Sequence, residues 1–361
     1  MRLVREQELM VEKFVFQSPA PRVLFGRGTI NAVAQELERH GISRAFVLCT
    51  GSGMQLSQRI IARAPNCGIE VLRLAYPGIT REDFERATGH AKKSGADGFI
   101  VVGGGTPIGL GKAVAAHTQL RYIAVVTTYS GSEMASNWSY GKDDDARSGS
   151  SLAALPSTAI YDPDLTLGLP AQISGQSGMN AMAHAVESLY GADRSPAVET
   201  LAEAAVRVLG SSLPRVVARP TDIEARTEAL YGAWLAAAFR APVGVEHAIA
   251  QNLRKRYGLS HAGTHAVVVP YAIAFNRNAA KHAMEKIERA LAVNDAGLGL
   301  YDLNVRLRIP TGLKDLGMKE SDIEAAVDFV GAKPIANPRQ VARADLVELI
   351  TQAFHGAPPR F

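Results

Sequence analysis

Val101-Val102-Gly103-Gly104-Gly105-Thr106-Pro107-Ile108-Gly109-Leu110-Gly111-Lys112 is an apolar run that breaks on three glycines and resumes as a helical pattern. Glycines lack Cβ atoms, so backbone N–H groups there can approach a phosphate, and the helix start adds the positive end of its dipole. Pro107 suits a first helical position, where its missing N–H costs nothing. The alternative is a tight strand–helix turn with no ligand, but three successive glycines are more than such a turn needs. The spacing is neither GxGxxG nor a Walker P-loop.

Outward from this turn, strand-like and helix-like stretches alternate. Strand patterns fall at 22–25, 44–49, 69–74, 98–102 and 122–126, and helical patterns at 29–39, 54–63, 80–93 and 108–117. Strands alternating with helices of this length predict a parallel, Rossmann-like sheet covered on both faces. Two further loops follow predicted strands on the same edge: Gly51-Ser52-Gly53 and Thr127-Thr128-Tyr129-Ser130-Gly131-Ser132-Glu133. The carboxyl ends of parallel strands are where open α/β sheets bind ligands. After Tyr161-Asp162-Pro163 the character changes to Ala-rich helical segments at 179–190, 197–213, 222–238, 245–256, 279–291, 321–331 and 342–354, punctuated by prolines such as Pro214 and Pro242. The expected organisation is an α/β nucleotide-binding domain over 1–160 and an all-α domain over 161–361.

The 361 residues are 47% hydrophobic and 20% charged, with a net charge of +4. That is globular composition, outside the disordered class. A pI near 9.0 without a long basic tract does not imply nucleic acid, although a positive field could draw in a small anion. No apolar run reaches the length of a membrane span, and the first residues lack the core of a secretory signal. Cys49 and Cys67 read as packing residues in a reduced cytoplasm. Asp143-Asp144-Asp145 reads as a solvated loop, because successive carboxylates do not converge without a calcium-type frame.

Five segments stand in order: Gly103 to Gly109, Thr127 to Glu133, Tyr161-Asp162-Pro163-Asp164-Leu165-Thr166, Ser177-Gly178-Met179-Asn180-Ala181-Met182-Ala183-His184-Ala185-Val186-Glu187, and His261-Ala262-Gly263-Thr264-His265-Ala266-Val267-Val268. Together they resemble the iron-containing alcohol dehydrogenase superfamily, most closely its maleylacetate reductase branch, over essentially the whole chain. The resemblance implies dehydroquinate synthase-like architecture: an N-terminal domain that binds NAD(H) or NADP(H), a helical C-terminal domain, an active site between them, and a homodimer. Gly51, Gly103, Gly104, Gly105, Thr106, Thr127, Thr128 and Ser132 become the candidate cofactor-binding residues. No acidic or basic residue stands where the choice between NADH and NADPH can be read.

In the superfamily a metal sits between an Asp, a His four residues later, and two further His fourteen residues apart. The matching positions here are Asn180, His184, His247 and His261. A neutral amide is a poorer transition-metal ligand than a carboxylate, so no catalytic metal is expected; if one bound, His184, His247 and His261 with Asn180 would hold it. These three histidines are the candidate catalytic residues, since imidazole can donate a proton near neutral pH. His265, one turn past His261, is a weaker candidate, and His40, His90, His117, His282 and His355 read as solvated surface. Where the branch reads His-His-Lys-Leu-Cys-His, this chain has Glu246-His247-Ala248-Ile249-Ala250-Gln251. Lys255 lies seven residues past Ala248, two helical turns along nearly the same face. Asn180, Gln251, Lys255 and Arg339 are therefore the candidate contacts to a small anionic substrate.

The resulting expectation is an NAD(P)H-dependent reductase of a small keto or enone (di)carboxylate from aromatic-ring degradation, such as 4-oxohex-2-enedioate. A fold relative with a different alcohol or aldehyde substrate, and a nucleotide-binding paralogue without catalysis, remain as alternatives.

Overall fold

The computed structural model describes residues 14, 16, 21–65, 67–74, 79–141, 145–192, 194–239 and 244–361. Asp143, Asp144 and Pro242 lie outside the described residues; Asp145 pairs with Arg81 at 3.1 Å. Six strands form one wholly parallel sheet: β1 (Arg22–Phe25), β2 (Ala45–Cys49), β3 (Glu70–Arg73), β4 (Gly98–Gly103), β5 (Arg121–Val126) and β8 (Thr158–Tyr161). Their spatial order is β1-β8-β5-β4-β2-β3.

Alternation along each strand feeds two cores. Val47, Ile100, Val102, Ile123, Val125 and Ile160 face α1 (Val33–Arg39) and α2 (Met54–Arg63). Phe46, Phe99, Val101, Tyr122, Ala124 and Tyr161 face the opposite layer, which includes α3 (Arg81–Ser94) and α4 (Gly105–Thr118). Burial on both faces is what a parallel sheet requires. From β2 the chain crosses to β3 on one side and then returns to β4 on the other. Strand order therefore reverses at β2 and β4, and the loops after them flank a crevice at the carboxyl edge.

The helices that follow are α5 (Ala171–Ser188), α6 (Pro196–Ala218), α7 (Ile223–Ala237), α8 (Val245–Tyr257), α9 (His261–Asn276), α10 (Lys281–Leu291), α11 (Ala296–Arg306), α12 (Ile323–Val330) and α13 (Arg343–His355). The largest apolar cluster runs without a break from the sheet into α5, α6, α7 and α11, while α8, α9, α12 and α13 enclose a second.

Several elements differ from the sequence reading. A short antiparallel hairpin, β6 (Asn137–Tyr140) with β7 (Arg147–Ser150), was not anticipated. Its Tyr140 stacks on Phe84, and the exposed His117 meets Phe84, Trp138 and Tyr140 edge-on. His40 and His90 are half-buried rather than solvated, His40 bonding Thr158 at 2.8 Å. Pro214 does not end a helix but lies inside α6, whose buried residues hold it between neighbours. α5 starts eight residues before the expected 179, across Gly175 and Gly178. At Gly178 a Cβ would come 2.3 Å from Leu213, so the glycine exists to let α5 and α6 approach.

Candidate active site

The crevice is lined by the glycine turn, but its three glycines serve different ends. Gly103 has φ +141°, and a Cβ there would meet Pro107 at 2.5 Å. A Cβ on Gly104 would meet Thr128 at 2.6 Å. Both are required by the chain's own packing. Gly105 is exposed, and a Cβ there would meet nothing nearer than Ser130 at 3.8 Å. Gly104 is the N-cap of α4, so the N–H groups of Gly105 and Thr106 are first-turn donors with no intrahelical acceptor. They can receive a phosphate.

Gly105 is accordingly the informative position. Gly105→Val should leave stability within about 0.5 kcal/mol, as for other exposed sites, and raise the NADH dissociation constant roughly ten-fold, a change of about 1.4 kcal/mol. Titration by nucleotide fluorescence checks this; unchanged affinity would remove the pyrophosphate from this turn.

The loop after β5 is fixed from two sides. The Thr127 N–H donates to Gly103 O at 3.1 Å, tying it to the glycine turn. Lys112 of α4 donates to Ser132 O at 2.9 Å, and Tyr161 donates to Glu133 at 2.6 Å. On the helical side, Tyr129 N–H donates to Ser177 Oγ on α5 at 3.1 Å. Arg226 of α7 is fully buried and donates to Tyr129 Oη (3.2 Å), Ser174 Oγ (2.7 Å), Leu169 O (2.7 Å) and Pro220 O (2.9 Å). Asp162, just past β8, accepts from Ile30 N–H and Asp164 N–H.

α5 carries this anchoring onward. Ser177, Asn180 and His184 follow at intervals near one turn, and His184 lies about 10 Å along the helix from Ser177 at roughly 1.5 Å per residue. Here the structure gathers His184, His247, His261 and His265. His247 Nε2 is 3.0 Å from His184 Nδ1, and the rings of His247 and His261 each lie 4.7 Å from that of His265. Two carboxylates that the sequence reading left without a role complete the cluster. Glu187 accepts from His247 Nδ1 (2.7 Å), Gly244 N–H (2.7 Å), Glu246 N–H (2.9 Å) and Tyr190 Oη (3.1 Å). One side chain of α5 thus caps the start of α8, and a Cβ on Gly244 would come 2.8 Å from Glu187. Glu246 lies 2.7 Å from His247 Nδ1 and 2.9 Å from His265 Nδ1.

Charge follows from this arrangement. Burial works to lower the pKa of His247, but Glu246 and Glu187 push it up to about 10, so it stands as an imidazolium at neutral pH. Burial works to raise Glu246, yet the His265 and His247 imidazoles carry it well below the usual carboxylate range. Burial, reinforced by His247 and His265, holds His184 well below its ordinary value, so it is neutral. Glu246, His247 and His265 offer ligand atoms within 4.8 Å of one another, a set that could hold a metal ion. Asn180 Oδ1 and His265 Nε2 are buried with no hydrogen-bond partner among the described residues.

The substrate candidates fare differently. Asn180 sits in the cluster, on the helix that bears His184. Lys255 and Gln251 are exposed on α8, and the basic residue turned toward the cluster is Arg254. Seven residues past His247, not past Ala248, gives the phase that the fold uses. Arg339 is not free for a substrate carboxylate: it pairs with Asp345 at 2.8 Å and its guanidinium carbon lies 4.0 Å from the Phe275 ring centroid.

Among known proteins, a family model described as iron-containing alcohol dehydrogenase matches residues 20–163, and one for the C-terminal part of the Fe-containing alcohol dehydrogenase family matches residues 174–354. The chain is 38% identical over 348 residues to a maleylacetate reductase of Burkholderia cepacia, covering 96% of this chain and 99% of that protein. Crystal structures of maleylacetate reductases from Agrobacterium tumefaciens (TM-score 0.92, 34% identity) and Rhizobium sp. strain MTP-10005 (TM-score 0.92, 36% identity) each superpose on 96% of this chain and 100% of their own.

Proposed function

Since the chain belongs to the iron-containing alcohol dehydrogenase family and is an NAD(P)-dependent oxidoreductase of maleylacetate reductase-like function, we propose that it reduces the carbon–carbon double bond of maleylacetate or a close dicarboxylate enone. The observation that supports this reading is α5, which joins the cofactor loop at Ser177 to the histidine cluster at His184. A nicotinamide cofactor held at the glycine turn would supply hydride to the carbon β to the ketone. The electron pair then moves to the carbonyl oxygen, and a proton completes the reduction at the adjacent carbon. His247 and His184, 3.0 Å apart, are the groups placed to pass a proton to the reaction. Asn180 and His265, each with an unpartnered polar atom buried in the cluster, are the side chains left to meet the substrate there. Arg254 supplies positive charge for a carboxylate.

No step runs through a metal. The position of the family's carboxylate ligand is occupied by Asn180, a neutral amide and a poorer ligand for iron. Activity should survive exhaustive chelation, and protein purified without added metal should carry well under one equivalent by elemental analysis. Tightly bound stoichiometric metal, with activity lost on its removal, would overturn this. No helix among the described residues is long and apolar enough to cross a membrane. The same proposal places the enzyme in the cytoplasm, where the free, buried Cys49 and Cys67 stay reduced, as a homodimer that light scattering can check.

The deciding experiment follows NAD(P)H absorbance with maleylacetate, simple aldehydes and no substrate. Fast oxidation with maleylacetate alone is expected. Oxidation only with aldehydes would move the substrate class, and cofactor binding without any turnover would leave a non-catalytic paralogue.

A further inference from the structure

We propose that Arg73 reads the 2′-phosphate of the adenosine ribose and makes NADPH the preferred cofactor. This rests on the nucleotide site described above and settles which form of the cofactor it takes. The histidine cluster is reached from the β5 loop, so the nicotinamide half extends from the glycine turn toward β5 and α5. The adenosine half must then lie on the other side of β4, over the carboxyl ends of β2 and β3.

At that end Arg73, the last residue of β3, is registered beside Cys49, the last residue of β2. Its side chain is exposed and lies against the turn that follows β2. A Cβ on Gly51 would come 3.2 Å from an Arg73 Nη and 3.6 Å from its Nε. The guanidinium thus lies close against the backbone of the turn. Selectivity for a ribose 2′-hydroxyl usually rests on a carboxylate at such a strand end, and an arginine there suits a 2′-phosphate. Neither 49–53 nor 73–78 contains an Asp or Glu. Arg73 forms no ion pair with a carboxylate among the described residues. Thr50 and Ser52 add exposed hydroxyls bonded to each other at 3.1 Å. A guanidinium meets phosphate oxygens through paired N–H donors, which 5′-AMP or NADH lacks the group to use.

The test compares binding, without turnover, of adenosine 2′,5′-bisphosphate against 5′-AMP, and of NADPH against NADH, by calorimetry. The bisphosphate and NADPH should each bind at least roughly ten-fold more tightly than their partners, with the margin shrinking as salt rises. Arg73→Glu, on an exposed side chain, should keep the wild-type unfolding transition and NADH affinity while erasing or inverting the preference. Equal affinities in the wild type, tighter NADH, or a preference that survives Arg73→Glu would overturn the assignment while leaving the nucleotide site intact. Binding of none of the four ligands would remove the nucleotide site itself and this inference with it.

Discussion

Glu187→Ala should destabilise the protein by about 3–5 kcal/mol, the usual cost of removing one partner from a buried ionic network. The substitution strands two N–H groups at the start of α8, the Tyr190 hydroxyl and the His247 imidazolium, all in a fully buried setting. Chemical denaturation measures the loss; a cost below about 1 kcal/mol would mean the network is energetically idle. The same cluster makes stability depend on pH. His247 is held at about 10, above its ordinary 6.5, so its contribution is complete below pH 6.5 and fades as pH rises through 10. Glu246 is held below its ordinary 4.5, so its contribution is complete above that and fades on acidification. Glu187→Gln, which keeps the shape but removes the charge, should flatten the alkaline part of this profile. An unaltered profile would take Glu187 out of the protonation of His247.

Arg226→Ala should cost a comparable ~3–5 kcal/mol, through a cavity and through the loss of its donors to the carbonyls of Leu169 and Pro220. Its second effect separates it from a simple core defect. The Tyr129 hydroxyl loses its tether, and with it the loop that lies between the glycine turn and α5. Cofactor affinity should fall in the fraction that remains folded, whereas an equally destabilising substitution in the second helical core, such as Leu349→Ala, should leave it unchanged. Equal affinities in the two variants would confine Arg226 to stability.

The sheet was legible because its strands are short apolar runs separated by amphipathic helices, and the period change at 163 marked the helical half. What escaped had physical reasons. α9 is apolar all round and almost wholly buried from Gly263 to Asn276, so it carries no stripe for a periodicity search to find. The β6–β7 strands have four residues each, too few to establish an alternation. In the site, the histidines stood out by type and spacing, while Glu187 and Glu246 did not. A signal for Glu187 was nonetheless present, since it is the one carboxylate in the apolar stretch from Met179 to Tyr190, and a buried charge must find partners. The basic run on α8 takes its phase from His247 rather than Ala248, so Arg254 and not Lys255 turns to the cluster. No periodicity could have revealed that Arg339 is already paired with Asp345.

Gly103 and Gly104 are held in place by Pro107 and Thr128, and Gly105 alone is open to the crevice. Selection for folding would therefore preserve the first two even in a descendant that had abandoned its cofactor. Across a lineage, a conserved glycine pair at this turn testifies to ancestry, and only the third position keeps a record of use. A chain that retains the pair but shows drift at the position of Gly105 is where a silenced oxidoreductase should be sought.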